Sequence, residues 1–199
     1  MVQKLDTLTE TPSQTAGPYV HIGTAPTYAG LGGIYEHEIG QTTYQDGAEG
    51  EVIEITGTVT DGTGWVLRDA VIEVWQADAS GRFAGQEGAD PKVTGWARVC
   101  ADPESGEWRL GTIKPGPVPM RGGGWQAPHI VLWIVARGIN TGLQSRIYFE
   151  DEANGDDPVL ARIEQRPRVD TLIAKKTGDG RYRFDIRLQG AGETVFFDM

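Results

Sequence analysis

The spacing of glycine constrains the fold of this chain more than any other feature of its sequence. The chain has 28 glycines and 11 prolines among 199 residues. Such a composition is typical either of a disordered low-complexity chain or of a β fold with many turns. Here the glycines separate short apolar segments, and six tryptophans are spread among those segments. A packed core is therefore expected, and the fold class is predicted to be all-β.

Alternating apolar and polar residues predict the strands. The clearest alternation lies in 181–188, where aromatic and aliphatic residues alternate with charged ones, and 53–59 alternates in the same way. The segment 130–136 is apolar on both faces, as expected of a central strand. The other predicted strands are 70–77, 95–100, 107–113, 146–149 and 194–197, with 95–100 and 107–113 expected to form a hairpin.

Helix signals are few. One short helix is predicted over 158–165, which has a proline at its start, and another over 169–176. Residues 51–199 are predicted to form a β-sandwich of mixed short strands with these one or two short helices. Residues 1–50 are weakly patterned and are predicted to form an N-terminal extension.

The charge balance excludes several classes of partner. The chain has 18 Lys and Arg against 28 Asp and Glu, a net charge of −10. Nucleic acids and anionic membranes are bound through clustered basic residues, which this sequence lacks. The longest apolar run, 130–136, is too short to span a bilayer, and the first residues lack the apolar stretch of a signal peptide. We expect a cytoplasmic chain that binds neither nucleic acid nor membrane.

Residue patterns alone identify no complete catalytic site in the sequence. The signatures of phosphate-binding loops, serine nucleophiles and zinc proteases are absent from the sequence. Cys100 is the only cysteine and lies in a strand pattern without a nearby histidine, which favours a structural role over a nucleophilic one. A histidine metal site would need His21, His37 and His129 from distant segments. By this reasoning His129 is a hydrogen-bonded core residue.

Five segments resemble the intradiol ring-cleaving dioxygenases, which are non-haem Fe(III) enzymes of bacterial aromatic catabolism. These segments are 11–23, 71–82, 106–117, 127–130 and 181–188. The resemblance implies a role in the cleavage of protocatechuate (3,4-dihydroxybenzoate) by O2 to 3-carboxy-cis,cis-muconate. It also implies a higher-order hetero-oligomer of α and β chains. Residues 11–23 and 135–140 resemble an α chain, and the extension over 1–50 is then expected to contact the β partner.

The departures from the family pattern fall on the metal ligands. Iron-binding chains of the family hold Fe(III) with two tyrosines and two histidines, and the matching positions here are Phe83, Val118, His129 and Val131. An arginine that precedes the histidine pair in those chains is replaced by Gln126. One imidazole cannot hold Fe(III), which favours anionic oxygen ligands. We call these five positions the vestigial site, and we expect the β subunit, not this chain, to bind the Fe(III).

The same resemblance assigns this chain one wall of the β subunit's substrate cavity. The residues that it implies for this wall are Thr15, Gly17, Pro18, Tyr19 and Arg137. A fixed guanidinium raises the local affinity for an aromatic carboxylate, and a Gly-Pro turn is rigid. Without the resemblance, Arg137 would be interpreted as a surface residue, and Tyr19 as an interface anchor.

Two other functions stay open at this point. A stand-alone dioxygenase could hold its metal with His129 and replacement ligands such as Tyr28, Tyr35 or Tyr44. A non-catalytic β-sandwich could instead bind a small ligand or a partner protein.

Overall fold

Strands make up most of the regular structure in the computed structural model, which describes residues 14–17, 19–37 and 39–198. One short helix, α1, spans Val20–Thr24, and 3-10 turns span Leu160–Arg162 and Arg166–Leu172. The strands are β1 (Val52–Thr60), β2 (Val71–Gln76), β3 (Trp96–Cys100), β4 (Glu107–Ile113), β5 (Val118–Pro119), β6 (Trp125–Gln126), β7 (His129–Val135), β8 (Leu143–Phe149), β9 (Ile173–Gly178), β10 (Arg181–Arg183) and β11 (Ile186–Arg187). The helices of the described residues include none long and apolar enough to cross a membrane.

The strands form two layers that are joined through β9. In the first layer β1 lies between β4, to which it is antiparallel, and β10 and β11, to which it is parallel. The second layer has the order β3-β2-β7-β8. β9 pairs with β8 through its first residues and with β10 through its later ones, so it passes from one layer to the other.

The inward faces of the two layers meet in one core. Alternate residues of the strands are buried there, including Ile53, Ile55 and Val59 of β1 and Ile130, Leu132 and Ile134 of β7. Trp108 of β4 is fully buried in the same cluster. Removing each such side chain from water contributes about 1.5–3 kcal/mol, which is why the alternation decides the fold. The prediction of an all-β sandwich is confirmed.

The predicted hairpin of 95–100 and 107–113 is wrong. β3 pairs with β2, and β4 pairs with β1, so the turn between them carries the chain from one layer to the other. This turn is closed by the Asp102 carboxylate, which accepts hydrogen bonds from the backbone N–H groups of Glu104 and Ser105. Such a turn can connect two paired strands of a hairpin or two strands in different layers. Packing in the core decides which strands β3 and β4 pair with.

The helix predicted over 169–176 is only partly present, because 169–172 lie in the second 3-10 turn and 173–176 belong to β9. The second 3-10 turn ends at Leu172, and the parallel pairing of β9 with β8 begins at Ile173. Leu172 and Ala174 are buried, whereas Ile173 between them is partly exposed, a strand-like alternation. Tertiary burial here overrides local helix signals. The other predicted helix, 158–165, is reduced to the single 3-10 turn at Leu160–Arg162.

The strand predicted over 181–188 is split between β10 and β11. At the break, the Asp185 carboxylate accepts hydrogen bonds from the backbone N–H and the hydroxyl of Thr58, at 2.9 and 3.0 Å. The Phe184 carbonyl lies so close to Gly57 of β1 that a Cβ at Gly57 would overlap it. A glycine at this position therefore allows β1 and the split strand to approach.

Several described residues before β1 contact the sandwich. Gly40 accepts a hydrogen bond from the backbone N–H of Arg98, and Tyr44 forms a bridge with Val93. Arg98 also donates to the Thr24 carbonyl oxygen at the end of α1, at 2.7 Å. These contacts fix part of the N-terminal region on the edge strand β3 and on the loop before it.

Candidate functional site

The site residues predicted from sequence lie at the two ends of β7. His129 begins the strand, and Val131 lies on the same outward face, while Arg137 follows soon after the last residue, Val135. A rise of about 3.3 Å per residue puts the two ends of β7 about 20 Å apart. The vestigial site and the predicted wall residues are therefore two separate places on the chain.

Thr15 fixes the N-terminal segment to the turn that follows β7. Its hydroxyl donates to the Ala136 carbonyl oxygen at 3.1 Å and accepts from the backbone N–H of Gly138 at 2.9 Å. It also accepts from the N–H of Gly17 at 3.3 Å. The structure thus brings Thr15 and Gly17 next to Arg137. Pro18, which was predicted with them, lies outside the described residues.

Arg137 presents an exposed guanidinium that is held from below by a carboxylate. The side chain is 68% exposed, and its Nε lies 3.4 Å from Oδ2 of Asp69, which is itself only 18% exposed. This oxygen is buried and has no hydrogen-bond partner among the described residues. Beside the pair is an open cavity of about 730 Å³, which Trp65 and Asn140 also line. Asp69 therefore forms an ion pair with a cation that faces open space.

Tyr19 lies on the other side of Asp69. Its side chain is 76% exposed and borders a smaller cavity of about 370 Å³, together with His21, Tyr28 and Asp69. The His21 ring stacks on the Tyr28 ring with the centroids 5.9 Å apart. Burial lowers the pKa of His21, although the nearby Asp69 carboxylate acts in the opposite direction. Tyr19 is thus an exposed aromatic side chain on the segment that Thr15 anchors.

Two tight loops build one side of the vestigial site. The Asp78 carboxylate closes the loop that leads to Phe83, because it accepts hydrogen bonds from the backbone N–H groups of Ser80 and Arg82. Burial raises the pKa of Asp78, but these and further hydrogen bonds outweigh it, so the pKa is lowered and the carboxylate stays charged. Gly81, with φ +79°, packs against Pro117, where a Cβ would overlap the carbonyl oxygen. This contact places the loop of Phe83 beside the loop that leads into β5.

The outward face of the second layer forms another side of the vestigial site, with residues from neighbouring strands. The Phe83 ring stacks on Trp75 of β2, with the centroids 5.9 Å apart and the planes within 5°. Trp75 is paired with Val131 of β7, and Val131 is paired with Arg146 of β8. Aromatic and aliphatic side chains thus occupy positions where the family pattern has ligands.

Arg146 connects this face to the β5–β6 hairpin. Its Nη1 donates to Oε1 of Gln126 at 2.7 Å and to the hydroxyl of Tyr148 at 3.2 Å. Gln126 is paired with Val118 in the hairpin. The structure therefore gathers the vestigial positions into one region, with Arg146 at its centre. Sequence reasoning missed Arg146, since a charged residue in a predicted strand carries no signal for the side that it faces.

His129 is a buried, neutral histidine. Its Nδ1 lies 2.8 Å from the Ala127 carbonyl oxygen, which can only accept, so Nδ1 carries the hydrogen. Burial, and then the charge of Arg146, lowers the pKa of His129 to about 4. Burial also raises the pKa of the adjacent Tyr148 to about 12, so that phenol is not a tyrosinate at neutral pH. The prediction that His129 is a hydrogen-bonded core residue is confirmed.

The described residues of the vestigial site do not fit an Fe(III) ion. Phe83, Val118 and Val131 offer no lone pair, and no group of three or more His, Cys, Asp or Glu in the described part of the chain is arranged to hold a metal. Of the replacement ligands of a stand-alone dioxygenase, Tyr28 is not available beside His129, because it donates to the Cys100 carbonyl oxygen near the far end of β7. No metal chemistry is assigned to this chain.

Comparisons with known proteins agree with the class that this fold and site define. A family model described as Dioxygenase matches residues 23–190, and the chain belongs to the intradiol dioxygenase family. Within it, the chain is similar to the protocatechuate 3,4-dioxygenase alpha chain of Pseudomonas putida, with 48% identity over 98% of each chain. It is also similar to the protocatechuate 3,4-dioxygenase beta chain of Burkholderia cepacia, with 33% identity over 85% of this chain and 79% of that one.

A solved structure supports the fold independently. The 3-chlorocatechol 1,2-dioxygenase of Rhodococcus opacus 1CP superposes with a TM-score of 0.57 at 19% identity. The match covers 73% of this chain and 63% of that one, so this chain spans less than two thirds of that enzyme. At this identity the likeness bears on the fold alone.

Proposed function

We propose that this chain is the alpha subunit of a protocatechuate 3,4-dioxygenase. The complex would catalyse intradiol cleavage of 3,4-dihydroxybenzoate by O2 to 3-carboxy-cis,cis-muconate. The observation that carries this proposal is the 48% identity to an alpha chain over 98% of both chains. The weaker similarity to a beta chain supports an assembly of two related subunits in a higher-order hetero-oligomer. Because the vestigial site does not fit Fe(III), the iron is assigned to the beta subunit.

In this proposal the N-terminal extension over 1–50 contacts the beta subunit, and one end of β7 forms a wall of its substrate cavity. Arg137 supplies the cation of the wall, since a guanidinium pairs with the carboxylate of protocatechuate through charge-assisted hydrogen bonds. Asp69 forms an ion pair with this guanidinium, and Thr15 fixes the backbone beside it. The wall also includes Gly17, Pro18 and Tyr19, which follow Thr15 closely in the sequence.

The residues of this chain contribute positioning and water exclusion rather than bond-breaking steps. A substrate whose carboxylate is held by Arg137 presents its two hydroxyls in one direction, which reduces the entropic barrier to reaction. The wall also replaces water beside the reacting ring with fixed protein groups. Electron transfer and oxygen chemistry belong to the metal, which we assign to the partner subunit.

Replacement of Arg137 by alanine tests this role in the assembled α/β enzyme. We expect the KM for protocatechuate to rise about 10- to 100-fold, which corresponds to the loss of a hydrogen bond to a charged group, with a smaller change in kcat. Arg109→Ala is the matched control, because Arg109 is also exposed and ion-paired but lies on β4. An Arg137→Ala complex with intact iron and an unchanged KM would contradict the assignment.

The same preparation tests the alternative of a non-catalytic binding module. If the beta subunit alone, with its iron bound, turned over protocatechuate as fast as the complex, this chain would have no part in the reaction. Our proposal instead expects turnover to depend on this chain and on Arg137.

A further inference from the structure

A cavity of about 420 Å³ opens on the vestigial site, beside Val131. This volume lies in the range of about 300–1,000 Å³ that is usual for small-molecule sites. Its walls are mainly apolar, and three charged residues border it. The apolar lining includes Val131, Val159, Ile163, Val195 and Phe197, and the charged residues are Arg146, Arg162 and Asp198.

Arg146 is a half-buried cation whose hydrogen-bond partners are neutral. Its Nη1 donates to the Gln126 amide oxygen and to the Tyr148 hydroxyl, and neither carries a negative charge. None of the ion pairs found in the described part of the chain includes Arg146. A cation that is partly removed from water without a counter-charge is costly. The cavity next to Arg146 is therefore a favourable place for an anion.

The nearby titratable groups form no ion pair with Arg146. The Asp157 carboxylate does not line the cavity, and it accepts hydrogen bonds from the N–H groups of Ala127, Val159 and Leu160 and from the Tyr148 hydroxyl. His129, which faces the same region, is neutral at pH 7 because its pKa is lowered to about 4. At the cavity, Arg162 and Asp198 are both exposed and of opposite charge. Among the residues that line the cavity, Arg146 is therefore the cation without an opposite charge of its own.

We propose that this cavity binds a small aromatic carboxylate whose carboxylate group pairs with Arg146. The Phe197 ring lies 5.9 Å from the Arg146 guanidinium and adds a flat apolar surface beside the charge. A planar guanidinium matches a carboxylate through two parallel hydrogen bonds, and the apolar walls suit a ring. Inorganic anions would leave those walls without contacts, and a neutral hydrocarbon would leave Arg146 without a counter-charge. The proposal goes beyond the catalytic role proposed above and concerns binding only.

Equilibrium dialysis of labelled benzoate against the assembled α/β enzyme tests the proposal. We expect the wild-type complex to bind one benzoate more per alpha chain than a complex that carries Arg146→Met. Any benzoate bound at the beta subunit contributes equally to both measurements. Arg109→Met is the matched control and should keep the full stoichiometry. Because the readout is bound benzoate and not turnover, its outcome is independent of the proposed catalytic role.

A second variant guards against a folding defect in Arg146→Met. Val131→Trp fills the cavity but keeps Arg146, and it should also lose one benzoate per alpha chain. Equal benzoate binding by wild type and both variants would overturn the proposal. Displacement of this benzoate by inorganic phosphate at equal concentration would overturn the assignment to aromatic carboxylates, since a site for any anion would then be the better description.

Discussion

His129 is the position of the vestigial site that keeps a potential metal ligand, and its surroundings keep it neutral. Its pKa is lowered to about 4 in the folded chain, against 6.5 for a solvated histidine. Between these values the unfolded chain binds a proton that the folded chain does not. Stability from this group is therefore complete above pH 6.5 and is lost as the pH falls towards 4.

Replacement of His129 by glutamine should remove this pH dependence. Over the interval from pH 7 to pH 4, we expect the wild-type chain to lose roughly 3 kcal/mol more unfolding free energy than the variant. Urea unfolding at a series of pH values measures the two slopes, and carboxylate titrations affect both chains alike. Parallel curves for wild type and variant would contradict a neutral, buried His129.

Single residues also mark the limit of what the sequence predicts about the site. The motif segments located Phe83, Val118, Gln126, His129 and Val131, and the structure places them in one region. Sequence reasoning missed Asp69, which forms an ion pair with Arg137 at one site. It also missed Arg146, which donates to Gln126 at the other. Their roles depend on which side of a strand or turn faces a neighbour, and one charged residue in a pattern carries no such information.

At the scale of elements, the close approach of β1 to the split strand β10–β11 depends on Gly57. A Cβ at this position would overlap the Phe184 carbonyl oxygen and lie 2.7 Å from the Trp108 ring. Because the first obstacle is backbone, the strand itself must move, and we expect Gly57→Ala to destabilise the chain by about 3 kcal/mol or more. The shift of the urea midpoint at constant slope measures this loss.

Gly111→Ala is the matched control for this prediction. Gly111 lies on the adjacent strand β4, opposite Glu54 of β1, and a Cβ there would meet nothing within 4 Å. Alanine at this position should leave stability unchanged or raise it by up to about 1 kcal/mol, since glycine loses more conformational entropy on folding. Equal losses in the two variants would show that the Gly57 contact is not the cause.

The elements differ in how far the sequence predicts them. β1 and the 181–188 alternation were predicted because a period of two over one buried face is unambiguous. The pairing of β3 and β4 was not, because their connection fits a hairpin and a crossing between layers equally well. The predicted helix 169–176 extends wrongly into the first residues of β9, because the pairing of β9 with β8 and β10 depends on distant residues that no local pattern reveals.

At the scale of the whole molecule, the predicted wall residues and the vestigial site lie at opposite ends of β7. One end presents Arg137, whose exposed guanidinium lies beside Asp69 and an open cavity. The other end carries the positions of a metal site without the side chains to form it. An exposed cation at one end and a vestigial site at the other suit a subunit that completes a related partner's site. This division is the central claim of the account.

Iron content and the visible spectrum test this claim most directly, measured on the chain expressed alone and then together with its beta partner. We expect the lone chain to be colourless and free of iron, because Phe83, Val118 and Val131 cannot ligate it. The complex should contain iron and show a tyrosinate-to-Fe(III) absorption band. Stoichiometric iron with the same band in the lone chain would contradict the account, and the catalytic centre would then have to lie within this subunit.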